Sequence, residues 1–531
     1  MDRVTAVMGQ SPTDPTRGSG LGVAMRRFGI VALMVLATGC QQPWIELASR
    51  DTSGDGANGN SSAPALSADG RYVAFASDAD DLVPGDTNDE PDVFVRDLQT
   101  RVTELVSVGA GGVPADGPSF APSISADGDR VVFYSEASNL APDFPARGDV
   151  FVRDRSGGTT VAVSRAFNPG GTTDVGSGAI SGDGSTIWFT GSAAIGSLFG
   201  AAHVVYDVAT GALSFPPSPW HSPFFLDGMG HGSVSFDGRY AAVAQHTLPA
   251  PEVAREVYRI DRVSANVAVV PQFDSPSTPA SPCSDPTISS DGGRVAFVCA
   301  TDRILPDAPS SPNVYARDIA TGTTFRVSVD AAGGDNDGHS LEPALSADGS
   351  EVAFSSTATD LVAGDTNGTT DVFVRDLDGG VNTRVSLDRA EAVGNHLSPS
   401  LGDGDYVAFT SDSDAIVPGD ADGTTDVLVR AVHVPRVLSA TPSVVARGTS
   451  TTLTVVGDDF GPDTIVGVSP AEGVNVDSVV FTSSTRLQVS VTVASSAAVG
   501  PRRLSVLVPG PGPGINNRAG SSDHCQCLTV S

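Results

Sequence analysis

The stretch Pro64-Ala65-Leu66-Ser67-Ala68-Asp69-Gly70-Arg71-Tyr72-Val73-Ala74-Phe75-Ala76-Ser77 decides the fold. Two short apolar runs flank an Asp-Gly pair, and glycine there supplies the positive φ that a tight hairpin requires. The arrangement returns at Asp127-Gly128, Asp183-Gly184, Asp237-Gly238, Asp291-Gly292, Asp348-Gly349 and Asp403-Gly404, at intervals from 54 (183 to 237) to 58 residues (69 to 127). A fixed period of this length marks a solenoid or a propeller. Within the unit Pro64 to Val108 the residues divide into strand A (Ala65–Ser67), strand B (Tyr72–Ser77), a polar loop (Asp80–Pro91), strand C (Asp92–Asp97) and strand D (Arg101–Val108). Four strands make one propeller blade, so the spacing predicts an all-β, seven-bladed β-propeller over residues 41–433.

The last unit runs through Asp403-Gly404, Tyr406–Ser411 and Asp426-Val427-Leu428-Val429-Arg430 and then lacks a strand D. The missing strand stands at the other end of the chain. Glu46-Leu47-Ala48-Ser49 matches Glu104-Leu105-Val106-Ser107, and each precedes the next Asp-Gly turn by 20 residues (49 to 69, 107 to 127). The N-terminal strand is therefore expected to complete the seventh blade and remove an open edge.

Composition narrows the chemistry. The 59 Gly and 37 Pro, with no sustained 3.6-residue apolar period beyond the leader, favour an all-β chain. All 31 basic residues are Arg, which excludes lysine chemistry, and 52 of the 62 acidic residues are Asp. Asp suits turns and supplies oxygen ligands for hard cations. A formal charge of −31 excludes nucleic acid as a partner, because phosphates need basic patches.

Residues 1–40 read as a leader. Met25-Arg26-Arg27, the apolar run Phe28 to Ala37 and Thr38-Gly39-Cys40 have the order of an export signal that starts at Met25 and is too short to span a membrane. Cys40 after Gly39 resembles the lipobox of bacterial lipoproteins, although Ala37 stands where Leu is usual. That resemblance implies lipidation of Cys40 and a place in the bacterial envelope, at the outer membrane or surface, touching the membrane only through the lipid. Cys283 and Cys299 lie eight residues either side of Asp291, nearly opposite in a hairpin turning there, and an oxidising compartment favours a disulfide between them. Cys525 and Cys527 form a lone C-x-C, a weak metal signal.

The pattern S-x-D-G-x-x-[VI]-A-F-x-S followed by D-V-F-V-R-D resembles the TolB-like, WD-type propeller repeats of bacterial envelope proteins over roughly residues 44–433. It is specific for fold and says little of activity. No G-x-S-x-G or H-E-x-x-H is present. From Pro435 the period stops. Val437-Leu438-Ser439-Ala440-Thr441-Pro442, Thr452 to Gly457, Thr485 to Val489 and Gly500 to Val506 suggest a small β-sandwich over 434–531, with Cys525–Val530 as its last strand. It is similar to immunoglobulin-like IPT/TIG domains.

In an antiparallel blade the B–C and D–A loops emerge on one face, opposite the Asp-Gly turns. Three B–C loops share the form D-x-[ND]-x-x-x-D: Asp86, Asn88 and Asp92; Asp365, Asn367 and Asp371; Asp420, Asp422 and Asp426. The spacing offers a Ca²⁺ ion three side chains per loop, and Asx turns that cap the loop's own amides are the plainer alternative. Ca²⁺ is the only cofactor expected. A D–A loop gathers Trp220, His221, Phe224, Phe225, Met229 and His231, a ligand platform or a plug of the ring mouth. His231, His339 and His396 could converge there as a metal triad. The Arg-Asp pairs ending strand C (Arg96-Asp97, Arg153-Asp154, Arg317-Asp318, Arg375-Asp376) are expected to serve packing. The functional expectation is a non-catalytic, monomeric envelope lipoprotein presenting its acidic face to a protein or glycan. The alternative is a polysaccharide lyase or hydrolase using His and Asp of that face.

Overall fold

The computed structural model describes residues 45–142, 148–167, 175–195, 198–216, 234–246, 255–271, 283–300, 311–386, 394–403, 406–417, 420–432, 436–458, 460, 464–483, 485–508, 518–519 and 525–531. Among them there is no α-helix, only strands and two short 3-10 turns. None of the described helices is long and apolar enough to cross a membrane.

Between residues 45 and 432 the described strands form seven antiparallel sheets, six of four strands and one of three. In the first, strand A is Ser61–Leu66, B is Tyr72–Ser77, C is Asp92–Asp97 and D is Val102–Leu105. B and C have the bounds read from sequence. Both are buried along nearly their whole length, because neighbouring sheets cover their two faces, and this is why they read as continuous apolar runs. Strand A starts earlier than expected. Its register breaks between Ser62 and Ala65, where Ala63 takes φ 51° ahead of Pro64. Proline cannot donate to the ladder, so the strand bulges there. The same positive φ precedes Pro122, Pro286, Pro343 and Pro399. Strand D is shorter than expected.

The Asp-Gly turns behave as read. The six described glycines have φ between 67° and 76°. Each preceding Ser turns back on its Asp, as Ser67 Oγ donates to Asp69 Oδ1 at 2.8 Å and accepts from the Tyr72 amide. Successive turns also bond to one another: the Ala68 amide donates to the Ala126 carbonyl, Ala126 to Gly182, Asp183 to Phe236, Phe236 to Ser290 and Ser290 to Ala347. The Asp403 amide returns to the Ala68 carbonyl at 2.8 Å, joining the last sheet to the first.

The N-terminal strand, Ile45–Leu47, pairs antiparallel with strand C of the last sheet (Asp426–Ala431), Leu47 facing Leu428. That sheet continues through Tyr406–Ser411 to His396–Leu401. Leu66, Val73 and Phe75 of the first sheet share a core with Tyr406, Ala408 and Val427 of the last. Cys283 and Cys299 are register partners 4.3 Å apart at Cα and are disulfide-bonded.

Residues 436–530 form a β-sandwich with its own core. One sheet orders Arg436–Thr441, Ser450–Asp458, Arg486–Val493 and Val474–Ser483; the other orders Val444–Val445, Cys525–Val530, Gly500–Val508 and Ile465–Ser469. Leu453, Val455, Leu487, Val489, Val491, Leu504 and Leu528 fill the space between them.

Candidate functional site

The site is built at the loop end of strand C. In the last sheet strand C opens on Asp426, 1% exposed, and the closing strand delivers Ser49, whose hydroxyl donates to Asp426 Oδ1 at 2.5 Å. Asp420, 5% exposed, lies six residues earlier. Asp414, Asp420 and Asp422 each place a carboxylate oxygen within 4.8 Å of the others, Asp414 and Asp422 exposed and Asp420 buried. Asp420 Oδ1 and Asp426 Oδ2 are buried with no donor group from the rest of the chain on them, and the two carboxyls lie close enough to share a proton between them. Burial, and then the neighbouring carboxylates, raise Asp420 and Asp426 above the usual carboxylate range, while Arg50 offsets part of this at Asp420. The backbone of Gly56 presses on this group: a Cβ there would meet Asp422 Oδ2 at 1.8 Å.

The first sheet repeats the plan. Asp92 is buried and accepts from Ser107, and burial pushes it up to about 6. Asp86, 8% exposed, has both oxygens buried with no side-chain donor on them, and burial raises it. The amides of Thr87 and Asn88 counter that rise in part. In the sixth sheet (strands from Ser340 to Arg384) Asp371 accepts from Ser386, while Arg384 Nη1 sits 2.6 Å from Asp365 and 3.4 Å from Asp371.

The middle residue of each motif makes a hydrogen bond within its own loop. Asn88 Oδ1 accepts the Glu90 amide, Asn367 Oδ1 the Thr369 amide and Asp422 Oδ1 the Thr424 amide. The Asx turn is therefore made in all three loops, and the outer Asp residues take their partners from elsewhere: Arg384 in the sixth sheet, serines at Asp92, Asp371 and Asp426. Asn88 and Asn367 also donate to Asp92 and Asp371, at 2.7 and 3.0 Å. Asp422 has no such donor to give Asp426, and it adds a charge instead.

His339 is exposed at the start of a strand A, whereas His396 is buried, bonded through Nδ1 to Ser411 Oγ at 3.0 Å, with Nε2 3.9 Å from Asp371. Trp220, His221, Phe224, Phe225, Met229 and His231 lie outside the described residues, as does Cys40. The strand-C arginines bond within the blade, Arg96 to Thr103, Arg317 to Thr324 and Arg375 to Asn382, and Arg96 also approaches Glu46 of the closing strand. Sequence reading passed over Asp414, Arg384 and the buried serines. A Ser fifteen residues after the first residue of strand C recurs at 107, 164, 328 and 386, which was a legible signal.

With this geometry in hand, the chain can be set beside known proteins. Residues 434–507 match the family described as quinohemoprotein amine dehydrogenase, alpha subunit domain III. This match supports the immunoglobulin-like character expected of the C-terminal region. No curated protein matches the chain. Among solved structures, it is similar to the acylaminoacyl peptidase of Pyrococcus horikoshii (12% identity, TM-score 0.44, covering 76% of this chain and 58% of that one). It is also similar to dipeptidyl peptidase 4 of Porphyromonas gingivalis (13%, 0.38, 75% and 58%) and to a TolB from Agrobacterium tumefaciens (15%, 0.29, 70% and 91%). The chain thus spans under two thirds of the length of these peptidases. At such identities the likeness is one of fold. The expectation of a non-catalytic scaffold lipoprotein is corrected here: peptidases stand among the structures similar to the chain, and the hydrolase alternative is carried forward.

Proposed function

We propose that this chain is a hydrolase built on a seven-bladed TolB-like propeller (41–433), with an immunoglobulin-like sandwich (434–531) of the IPT/TIG kind as accessory. In this reading the leader 1–40 directs it to the bacterial envelope, with Cys40 lipidated. The reaction centre is the Asp-rich loop end of the last blade. The observation that carries this reading is the half-open carboxylate group: buried Asp420 and Asp426 face one another with no basic side chain or other donor on Asp420 Oδ1 and Asp426 Oδ2, while Asp414 and Asp422 are exposed. An all-oxygen donor set selects a hard divalent cation such as Ca²⁺. A divalent cation held there by Asp420 and Asp426 would polarise a bound water or the scissile group. Asp420 and Asp426 anchor, and the exposed pair keeps the outer side open to substrate.

A second reading has its own observation. Ser49 bonds Asp426, and Gly56 lies against Asp422, so the group straddles the junction where the N-terminal strand closes the ring. A cation there would clasp that junction without catalysis. The full chain, assayed on peptide, ester and polysaccharide substrates with Ca²⁺, Mg²⁺ or Mn²⁺ and again in EDTA, separates the two. Cation-dependent turnover reduced by about 10²-fold or more in Asp420→Asn is expected. Turnover indifferent to both EDTA and the substitution, or none at all in the cation-loaded protein, would overturn the hydrolase.

A further inference from the structure

The three acidic loops sit on the same scaffold, so differences between them are informative. Ladder register aligns the blades residue by residue. Arg384 pairs with Phe373, Leu105 with Phe94 and Leu47 with Leu428, the third residue of strand C in each case. Leu105 and Leu47 therefore occupy the place that Arg384 occupies in the sixth blade. A second substitution runs in parallel. The amide of the first strand-A residue of the following blade donates to the carbonyl just before the strand-C Asp: His396 to Thr370, Ser119 to Pro91 and Ser61 to Thr425. His396, which approaches Asp371, is thus replaced by Ser119 beside Asp92 and by Ser61 beside Asp426.

The sixth blade consequently carries a built-in guanidinium. Arg384 is 4% exposed at its side chain and lies within salt-bridge distance of both Asp365 and Asp371. The first blade keeps the same two carboxylates and has Leu and Ser where the sixth has Arg and His. Asp86 is more than nine-tenths buried, no side chain or counter-charge satisfies its oxygens, which only the Thr87 and Asn88 amides approach, and the charged neighbours acting on it, Asp80 and Asp89, are negative. Burying a carboxylate without a counter-charge costs far more than the local amide bonds and the Asx turn beside it return. A cation bound in the same place removes that cost.

We infer that Arg384 is the resident substitute for a metal ion, and that the first blade holds a divalent cation on Asp86 and Asp92, a second site beside that of the last blade. The rule is one positive charge per acidic loop, supplied from the chain in the sixth blade and from solution in the first and last. Asn88 serves as the orienting residue, since its amide already fixes Asp92 Oδ2 and the Ala115 carbonyl, both at 2.7 Å. The donors are all oxygens, so the ligand is a hard ion of the Ca²⁺ class.

The inference shares the last-blade cation with the proposed function but not its chemistry, and stoichiometry separates the two. EGTA-treated full-length protein is dialysed to equilibrium against Ca²⁺ and the bound ion counted. Two per chain are expected. Leu105→Arg should lower the count to one and Arg384→Leu should raise it to three, with circular dichroism checking that each variant is folded. Asp86→Asn, a smaller change, should also give one and covers the case in which Leu105→Arg does not fold. A count that stays at two in Asp86→Asn overturns the first-blade site, and one that stays at two in folded Arg384→Leu overturns the surrogate role. A count of two with no hydrolysis of any substrate sinks the reaction centre alone.

Discussion

The two ends of each blade use the same residue, aspartate, to opposite electrostatic effect. At the turn end Asp291 accepts from Ser289 Oγ and from the Gly293 amide, both at 2.7 Å, and these bonds hold its carboxyl below the usual range. Asp127, Asp183 and Asp348 are lowered as well, because their hydrogen bonds outweigh the opposing effect of burial. At the loop end Asp92 and Asp149 are pushed up to about 6, by burial that their serine partners do not offset. Turn aspartates are near water and take donors from the backbone and a serine, whereas loop-end aspartates are buried, and the donors on Asp92 and Asp149 do not offset that burial. A carboxylate in the first setting is a structural cap. In the second it is a vacancy for positive charge.

One substitution, Asp to Asn, should therefore change stability with opposite sign at the two ends. The larger effect is expected at Asp149. Its folded-state pKa lies above the unfolded one, so the fold favours the protonated form, and that contribution is complete below about pH 4 and lost as pH rises through about 6. Asp149→Asn should stabilise the chain by roughly 1–3 kcal/mol at pH 8 and leave it unchanged at pH 4, read from urea unfolding at both values. The fifth blade already carries this solution, with Asn313 at the equivalent position accepting from Ser328 at 2.8 Å. Destabilisation at pH 8 would break the contrast. The smaller effect is at Asp291, whose lowered pKa contributes stability above the unfolded pKa that is lost as pH falls through the folded one. After discounting for its exposure, Asp291→Asn should cost about 0.5–1 kcal/mol at pH 7 and nothing near pH 2.

Much of this fold could be read from the chain, and particular residues show why. Strands B and C carry unbroken apolar runs between Gly-containing turns, so their bounds came out as read. The closing strand announced itself because Glu46-Leu47-Ala48-Ser49 keeps the spacing of an internal repeat. Strand A was misjudged because its bulge places Ala63, an ordinary residue, at φ 51°, and nothing local except the following proline hints at that. The motif D-x-[ND]-x-x-x-D marks three loops but does not rank them. Whether a buried Asp is neutralised depends on residue 384, 105 or 47, which is distant in sequence and adjacent only through ladder register. Asp414 was missed for the same reason, since it joins Asp420 and Asp422 by the path of the loop and lies outside the motif.

In the proposed arrangement, cations from solution complete the loop-end carboxylates of the first and last blades. Thermal melting of the full-length protein in EGTA and in millimolar Ca²⁺ tests it most directly. A ligand that binds only the folded state adds about 2.7 kcal/mol at a hundredfold excess over its Kd, so the melting temperature should rise by several degrees in Ca²⁺. Asp420→Asn should lose a large part of that rise. Superimposable melts with and without Ca²⁺ would contradict the account.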